Sequence, residues 1–424
     1  MIDFLQLPES KRYRIVNAGV PTSTSPANPE VDATEIFVEA GLISEPHDGP
    51  VVDLRGSMLL PAFTDMHTHL DKGHIWPRSP NPDGTFESAL ATVQADRTRN
   101  WRAEDVRRRM EFSLKCAHSH GTRAIRTHLD SASPQHLISW PVFDEVRSDW
   151  SGRIELQAVT ILGIEEVDDS DKFTDIANTA AKFGGVLGCV TYPVADLDRR
   201  LDIFFSMAAE RAMDADLHVD ESSDRNVATL GSIAKAIMRV GFEGKTVAGH
   251  CCSIALQPDS QVSETLDLVA KAGISVVSLP MCNLYLQNRL NDHTPRWRGV
   301  TLIHEMRSRG IKVCFASDNT RDPFYAYGDL DMIEVLREST RICHLDHCAD
   351  SWFNSFTTIP SEICGFTGNN LLPGDSADFV ICSARNWSEL LSRPQMDRVV
   401  VRNGRTVNRK LPSYSELDDL MEEE

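Results

Sequence analysis

The stretch LPAFTDMHTHLDK, residues 60–72, places two histidines directly after an apolar run of strand-forming residues. Residues i and i+2 of an extended segment point to the same side, so the rings of His67 and His69 can reach one metal ion. Two histidines at this spacing are weak evidence by themselves, because such pairs also occur on surfaces and in packed cores. The place of the pair in the chain therefore decides its interpretation.

Eight β-rich runs, of which this stretch contains the first, alternate with amphipathic segments through the middle of the chain. The runs span residues 58–66, 122–128, 154–162, 186–192, 215–219, 245–250, 274–279 and 312–317. The predicted helices span residues 104–120, 171–183, 197–213, 227–240, 262–272, 300–309 and 331–343. Eight parallel strands separated by helices indicate an α/β protein with a (β/α)8 or TIM barrel, although a doubly wound sheet has the same local pattern.

The two ends of the chain differ from its middle. They contain short β-rich pieces at residues 35–39, 379–382 and 399–402, with turns at glycines between them. The ends are able to pair into one small β-domain, so we expect a domain of residues 1–60 plus 372–424 beside a barrel of residues 61–371. The acidic segment 416–424 predicts a solvated end.

The charge of the chain favours a small-molecule ligand. Asp and Glu outnumber Lys and Arg by 62 to 43, and the formal net charge is −19. This charge would repel a phosphate backbone, and the chain lacks the basic patch of a nucleic-acid binder. We therefore expect no nucleic-acid partner.

The cysteines and the first residues predict a cytoplasmic protein. The 10 cysteines show no C-x-x-C spacing and several lie in apolar runs, which is typical of buried free thiols in a reducing compartment. The first residues, MIDFLQLPESKRYR, lack the basic and then apolar order of a signal peptide. No apolar run approaches the roughly 18 residues that a membrane span requires, so we expect no membrane contact.

Three later strands also end in residues able to bind a metal ion or to move protons. His218 and Glu221 lie at the end of the fifth strand, His250 ends the sixth, and Asp318 follows the eighth. Barrel enzymes place their active sites at this edge, and a coincidence across four strands is hard to obtain by chance. Three imidazoles and one carboxylate suit Zn²⁺ or Fe²⁺ and leave a position for a water that the ion activates near neutral pH.

Glu221 is the candidate for proton transfer. It lies three residues beyond His218, where a carboxyl group could carry protons from the nucleophile to the leaving group. A loop charge at a strand end is the alternative interpretation. The fourth strand, residues 185–193, contains no lysine, so one metal ion is favoured over a lysine-bridged pair.

With these residues in place, the chain resembles the cytosine deaminase branch of the amidohydrolase superfamily over nearly its whole length. The segments that carry the resemblance are LPAFTDMHTHLDK, GTRAIRTHLD, HVDES, AGHCCS, NLYLQNR, PRWRGVTLIHEM and VCFASDNTRDPFYAYGDLDM. The resemblance implies a TIM barrel with a small β-sandwich made from both termini. It also implies a single divalent metal ion held by His67, His69, His218 and Asp318.

The same resemblance implies the catalytic roles. Glu221 would be the proton shuttle, and His250 would orient the hydroxide and polarise the substrate. Asp318 would accept a proton from the attacking water. A binding protein that kept the barrel and lost turnover would be expected to lack one of these residues, and all of them are present.

Three departures from the cytosine deaminase pattern concern the substrate. In that family a glutamine hydrogen-bonds the pyrimidine, and Gly163 occupies its position here. Asn319 replaces the acidic residue that follows the metal-binding aspartate, and Phe324 replaces a tryptophan that packs over the ring. Losing the glutamine removes two hydrogen bonds and would enlarge the pocket. We therefore expect a deaminase that releases ammonia from an aminated N-heterocycle, with a pterin or another 2-amino-4-oxo ring such as isocytosine favoured over cytosine.

Two other activities stay open. The segment ASDN-x-RD, residues 316–322, also resembles N-isopropylammelide amidohydrolase, which removes an alkylamine from a triazine ring. A cyclic amide hydrolase is the other alternative, although such enzymes commonly use the bridging lysine that is missing here. Thr85, Phe86 and Gln287 are further predicted substrate contacts. A homo-oligomer is left open, because barrels of this type often assemble.

Overall fold

The computed structural model describes residues 5–21, 31–348 and 352–422 of the chain. Within these ranges, none of the helices combines the length and the apolar character needed to cross a bilayer. The strands are β1 (Arg12–Pro21), β2 (Val31–Glu39), β3 (Leu42–Ile43), β4 (Val51–Asp53), β5 (Met58–Pro61), β6 (Phe63–Thr68), β7 (Thr122–Asp130), β8 (Glu155–Ile161), β9 (Val190–Thr191), β10 (Ala215–Val219), β11 (Thr246–His250), β12 (Ser275–Ser278), β13 (Val313–Phe315), β14 (Phe379–Cys382), β15 (Val399–Arg402) and β16 (Arg405–Thr406).

Helices follow most of the parallel strands and cover their outer face. They are α1 (Phe86–Asn100), α2 (Ala103–His120), α3 (His136–Asp149), α4 (Ser170–Lys182), α5 (Leu197–Glu210), α6 (Leu230–Val240), α7 (Asp259–Ala272), α8 (Pro280–Leu286), α9 (Ile303–Ser308), α10 (Met332–Cys343), α11 (Thr358–Cys364), α12 (Trp387–Ser392) and α13 (Asp418–Met421). Short 3₁₀ turns lie at Ile164–Asp168, Ser253–Leu256, Leu345–His347, Phe353–Phe356 and Tyr414–Leu417.

The parallel strands form one sheet of β6, β7 and β8 and a second sheet of β9 to β13. Strands β6, β10 and β11 are buried along their whole length, as expected for parallel strands with packing on both faces. The α/β class with parallel sheets is thus confirmed.

Backbone hydrogen bonds also link the edges of these two sheets. Val186 donates to the carbonyl of Ala158 in β8 at 2.9 Å, and the next residue, Leu187, accepts from Asp216 in β10 at 2.9 Å. At the opposite edges, the Asp318 amide after β13 donates to the carbonyl of His67 in β6 at 2.9 Å. Residues that flank β9 and β13 therefore connect the edges of the two parallel sheets.

Both ends of the chain contribute to one mixed sheet, in the order β16-β15-β14-β5-β1-β2-β3, with β4 beside β1. The pairing of β5 with β14 is antiparallel and brings Pro61 opposite Phe379. The apolar cluster of this sheet includes the fully buried Tyr13 and Val401. Strands from the two ends of the chain thus share one sheet, while the division into two domains and the sandwich form stay predictions.

The first predicted strand, residues 58–66, is two strands in two sheets. β5 belongs to the mixed sheet and β6 to the parallel one. Ala62, between them, donates its amide to the carbonyl of Asp378 at 3.1 Å. Because both strands are buried, the sequence shows one continuous apolar run, and the boundary between the two strands could not be predicted from it.

The acidic end of the chain corrects another prediction. Leu417 is buried against α2, and the carboxylate of Asp419 accepts two hydrogen bonds from the Arg108 guanidinium. The described part of this end therefore packs on α2 instead of extending into solvent, because its charges match basic side chains of that helix. Residues 423–424 lie outside the described residues.

Candidate metal centre and active site

Four side chains predicted as metal ligands converge at the C-terminal edge of the parallel strands. His67 lies on β6 and His69 directly after it, while His218 lies on β10 and Asp318 follows β13. The alternation of side chains along an extended segment turns His67 and His69 to the same side. All four residues are buried, with at most 5% of their surface exposed.

Four of the distances between donor atoms of these residues lie between 3.2 and 3.6 Å. Nε2 of His218 is 3.2 Å from Nε2 of His67 and 3.4 Å from Nε2 of His69. Oδ1 of Asp318 is 3.2 Å from Nε2 of His69 and 3.6 Å from Nε2 of His67. Donors bound to one tetrahedral zinc ion at about 2.0 to 2.1 Å lie about 3.4 Å apart. The spacing therefore fits a single ion.

The protonation and bonding of these groups fit the same interpretation. Burial is the main cause that lowers the pKa of His67, His69 and His218 well below its ordinary value. The imidazoles are therefore neutral, as metal ligands must be. Both carboxylate oxygens of Asp318 are buried and accept no hydrogen bond from the described residues. The donor set thus fits one divalent ion.

Two predicted catalytic residues lie together beside this centre. Oε1 of Glu221, just past β10, is 3.2 Å from Nδ1 of His250, which ends β11. Burial lowers the pKa of His250, but the nearby carboxylates of Glu221 and Asp318 outweigh it, so this pKa is raised. The pair can therefore exchange or share a proton.

Asn283 on α8 was not predicted, although it contacts both catalytic residues. Its amide nitrogen donates to Oε1 of Glu221 at 3.2 Å and lies 3.0 Å from Nδ1 of His250. The side chain is 1% exposed. Asn283 is 33 residues from one partner and 62 from the other along the chain, so no local spacing could indicate this contact.

The backbone turns sharply where these strands end. Asp220, His250 and Asp318 adopt left-handed conformations with φ of 51°, 66° and 67°. Such conformations are costly for residues other than glycine and persist where the surroundings enforce them, often at active sites. The carboxylate of Asp220 helps to do so, because it accepts hydrogen bonds from the backbone of Thr229 and Leu230 at the start of α6. Asp220 is therefore structural.

His128 is a further histidine of the centre to which sequence reasoning gave no role. Its ring, on β7, lies 4.0 Å from the ring of His67 and 4.6 Å from that of His218. Neither of its ring nitrogens has a hydrogen-bond partner among the residues that the structure describes. The signal was present in the sequence, because His128 ends the second predicted strand as the other candidates end theirs.

The predicted substrate contacts include one aromatic pair. The rings of Phe86 and Phe324 lie 5.4 Å apart in an edge-to-face arrangement. Thr85, which precedes Phe86, caps α1: its hydroxyl accepts from the Ser88 amide at 3.2 Å and donates to Asp83 at 2.8 Å. The hydroxyl of Thr85 is thus engaged within its own turn.

The remaining predicted contacts differ in how their polar groups are used. Asn319 donates its amide to Asp322 at 2.8 Å, within the turn that follows the metal-binding aspartate. Gln287 is 5% exposed, and its side chain makes no hydrogen bond within the described ranges. It therefore keeps a buried amide available.

An acidic side chain lies beside Gly163, where the sequence predicts an enlarged pocket. A Cβ atom at this position would lie 2.7 Å from Oε1 of Glu165. The carboxylate of Glu165 accepts a hydrogen bond from the Tyr192 hydroxyl. A side chain at position 163 would therefore meet this carboxylate, and the enlarged pocket stays a prediction.

A sequence profile of the amidohydrolase family matches residues 50–139 and 142–408. The chain belongs to the amidohydrolase family. This amidohydrolase is 50% identical to the pterin deaminase of Rhizobium rhizogenes strain K84, over 99% of each chain. The prediction of a hydrolase that acts on carbon–nitrogen bonds of cyclic amidines is confirmed.

Solved structures of other amidohydrolases share the fold. The 5-methylcytosine deaminase of Klebsiella pneumoniae superposes with a TM-score of 0.80 at 24% identity, over 94% of this chain and 97% of that one. The N-isopropylammelide isopropylaminohydrolase of Burkholderia multivorans gives a TM-score of 0.75 at 22% identity, over 94% and 98%. At these identities the likeness concerns the fold alone.

Proposed function

We propose that this amidohydrolase is a pterin deaminase, which removes the 2-amino group of a pterin by hydrolysis and releases ammonia. The observation that carries the proposal is the 50% identity to a pterin deaminase over 99% of both chains. The convergence of three neutral imidazoles and a buried carboxylate supports a hydrolytic mechanism. Pterin and related 2-amino-4-oxo rings, including isocytosine, are preferred to cytosine.

The proposed cofactor is one divalent ion, Zn²⁺ or Fe²⁺, held by His67, His69, His218 and Asp318. Both ions accept imidazole and carboxylate donors. When bound, such an ion lowers the pKa of a water molecule to about 7 and supplies the nucleophile at neutral pH. The separations of 3.2 to 3.6 Å between four pairs of these donors support a single site.

Glu221 is the proposed proton shuttle. In the reaction, the oxygen of water bonds to C2 of the ring, and the bond from C2 to the exocyclic nitrogen breaks as ammonia leaves. One proton of the water moves through Glu221 to the ring nitrogen beside C2, and the other, which Asp318 takes first, ends on the departing amine. The contact of Glu221 with His250 supports this role.

His250 and Asp318 have the other proposed catalytic roles. His250 orients the nucleophile and polarises the substrate, which suits a buried imidazole that Asn283 and Glu221 both contact at Nδ1, while its Nε2 has no hydrogen-bond partner among the described residues. Asp318 takes a proton from the attacking water, and its two oxygens without hydrogen-bond donors support this double use as ligand and acceptor. The resemblance to cytosine deaminase favours the same assignment.

The structure supports some of the proposed substrate contacts more strongly than others. The aromatic pair of Phe86 and Phe324 provides an apolar wall for a flat bicyclic ring. The buried and unpaired amide of Gln287 is suited to a polar edge of that ring. Thr85, Gly163 and Asn319 stay proposals with weaker support, because their contacts are with neighbours in their own turns.

We further propose that the parallel strands close into a (β/α)8 barrel of residues 61–371. The supporting observations are the backbone hydrogen bonds at the edges of the two parallel sheets and the TM-score of 0.80 to a solved deaminase. Residues 1–60 plus 372–424 would form the β-sandwich domain. The mixed sheet built from both ends of the chain supports this assignment.

The alternative activities rank below pterin deamination. A likeness of 22% identity to an ammelide hydrolase concerns the fold and not the substrate. A cyclic amide hydrolase would be expected to have the bridging lysine that residues 185–193 lack. We propose a cytoplasmic location, which the 10 free cysteines support, and a small heterocycle as the partner, without nucleic acid.

The test measures ammonia release from pterin, isocytosine, cytosine and N-isopropylammelide by zinc-loaded and iron-loaded enzyme. We expect turnover of pterin with a kcat/KM at least about 100-fold above that of cytosine, since a site built for one set of hydrogen bonds rejects rings that lack them. Efficient turnover of cytosine or of N-isopropylammelide without turnover of pterin would overturn the proposal.

A further inference from the structure

Lys72 is a buried cation for which the proposed mechanism has no use. It follows His69 by three residues in the loop after β6, and it is 7% exposed. Its Nζ atom lies 4.4 Å from the centre of the Phe324 ring. Across the described parts of the chain, no hydrogen bond or ion pair joins this ammonium group to another residue.

A buried lysine without an acceptor is uncommon, because an ammonium group that leaves water unpaired loses its hydration without compensation. The acids closest to it in the sequence and around Phe324 have other partners. Oδ2 of Asp71 accepts from the Asp130 amide at 2.8 Å while its Oδ1 accepts no hydrogen bond from the described residues, and the Asp322 carboxylate accepts from Asn319 at 2.8 Å. The donors of Lys72 are therefore free for a ligand.

The charge of Lys72 lies within electrostatic reach of the metal centre. Burial is the main cause that lowers the pKa of His67, His69 and His218, and the positive charge of Lys72 lowers it further. Its ammonium also lies against Phe324, one half of the aromatic wall. Lys72 therefore contacts the proposed aromatic wall and lies within electrostatic reach of the metal centre.

We propose that Lys72 donates a hydrogen bond to the C4 carbonyl oxygen of a 2-amino-4-oxo ring and so selects oxo rings over diamino rings. This inference rests on the proposed function. Lysine has three N–H donors and no acceptor, so its partner must be an acceptor. A carbonyl oxygen meets that need, whereas the amino group at C4 of a 2,4-diamino ring is a donor and leaves the ammonium unpaired.

The test compares kcat/KM for pterin and 2,4-diaminopteridine, measured as ammonia release by the zinc-loaded wild type and by Lys72→Met. We expect the wild type to prefer pterin, and Lys72→Met to lose about 10- to 100-fold on pterin while its rate on the diamino ring changes by less than about threefold. Lys72→Arg keeps the charge and is expected to retain part of the preference. Zinc content is measured in every variant.

Lys182→Met is the matched control. Nζ of Lys182 also lies over a phenylalanine ring, 5.2 Å from the centre of Phe183, but this lysine is exposed on α4. The same substitution there is expected to leave both rates unchanged. Pterin-6-carboxylate is added to the substrates, because a carboxylate on the ring is another acceptor that an ammonium could bind.

The outcomes separate the assignment from the proposed function. Equal losses on both rings, or losses that follow the zinc content, would overturn the carbonyl assignment. A larger loss on pterin-6-carboxylate than on pterin would move the contact to the carboxylate and overturn it as well. If the wild type deaminated no 2-amino-4-oxo ring, the proposed function would be overturned. If it turned over pterin and Lys72→Met kept the same preference for pterin over 2,4-diaminopteridine, only the carbonyl assignment would be overturned.

Discussion

At the scale of single residues, Glu221 offers the clearest separation of metal binding from turnover. Glu221→Gln keeps the size of the side chain and its contacts with Asn283 and His250, but an amide cannot carry a proton. We expect the variant to retain its metal and to lose about 10²- to 10⁴-fold in kcat. Metal analysis and ammonia release check this directly.

Glu362→Gln is a suitable control for that experiment. Glu362 is a surface residue paired with Lys312 at 3.0 Å, outside the metal centre. Its variant is expected to keep wild-type turnover. If Glu221→Gln were as active as this control, Glu221 would have no part in the mechanism, and proton transfer would have to be assigned to another group.

Asn283 is expected to act through the residues that it holds. Asn283→Ala removes the donor to Glu221 and the contact with His250. We expect kcat to fall about tenfold or more, because a hydrogen bond to a charged group is lost, while KM and metal content stay near their wild-type values. Steady-state kinetics on metal-analysed protein measure this split.

Asn369→Ala serves as the comparison for Asn283. Asn369 is equally buried, and its amide donates to the carbonyl of Asp378 at 2.9 Å in the region that joins α11 to β14. This variant should lower the thermal midpoint without changing kcat. Equal effects of the two variants on kcat would mean that Asn283 contributes to stability alone.

The site residues that could be predicted from the sequence are those that lie at the C-terminal ends of strands. His67, His218, His250 and Asp318 all lie at the C-terminal ends of strands, so their order in the chain was enough to bring them together. Asn283 obeys no such rule, because it lies on a helix and contacts its partners only in three dimensions.

At the scale of elements, the contacts of Thr85 favour a role as the cap of helix α1 over its weaker-supported role as a substrate contact. Thr85→Ala removes the side-chain cap at the Ser88 amide. We expect the free energy of unfolding to fall by about 1 kcal/mol, a typical value for a lost N-cap. KM for pterin should change by less than about twofold, since the group lost belongs to the cap.

Chemical denaturation and steady-state kinetics of Thr85→Ala together decide between cap and contact. Thr85→Ser keeps the capping oxygen and is the control, expected to resemble the wild type in both measurements. A rise in KM without a loss of stability would return Thr85 to the substrate contacts and would contradict the capping role.

Elements with a regular pattern were predicted well, and those shaped by close packing were not. The runs 379–382 and 399–402 match β14 and β15 to the residue. The fourth strand shrinks to β9, whose neighbour Gly188 approaches other backbones so closely that a Cβ there would lie 2.4 Å from the carbonyl oxygens of Thr160 and Asp216. Helix α3 was missed because Pro141 lies within it.

At the scale of the whole molecule, one buried ion pair joins the last strands to the helices around the parallel sheets. The Arg398 guanidinium, just before β15, donates to both oxygens of Asp331 at 2.6 and 2.7 Å. Arg398 also donates to the carbonyl of His120 at the end of α2. Asp331 caps α10 through the Ile333 amide at 3.0 Å. This pair therefore couples the stability of both parts of the chain.

Asp331→Asn is expected to destabilise the molecule by about 3 to 5 kcal/mol at neutral pH, because it leaves the buried Arg398 charge without its partner. Asparagine is as good an N-cap as aspartate, so the cap on α10 is retained and the loss reports the charge. Denaturant unfolding of both proteins at pH 7 measures the difference. Asp168→Asn, at an exposed pair with Arg200, is the control and should change little.

The pH dependence of that difference tests its electrostatic origin. Burial would raise the pKa of Asp331, but Arg398 outweighs it and lowers this pKa well below the ordinary value. A carboxyl group whose pKa is lower in the folded state stabilises the fold above its unfolded pKa, about 3.9, and that contribution is lost as the pH falls toward the folded pKa. The difference between wild type and Asp331→Asn should therefore stay constant from pH 7 to about 5 and shrink below about 4. A difference that persists unchanged at pH 3 would mean that packing, and not charge, holds the two parts of the chain together.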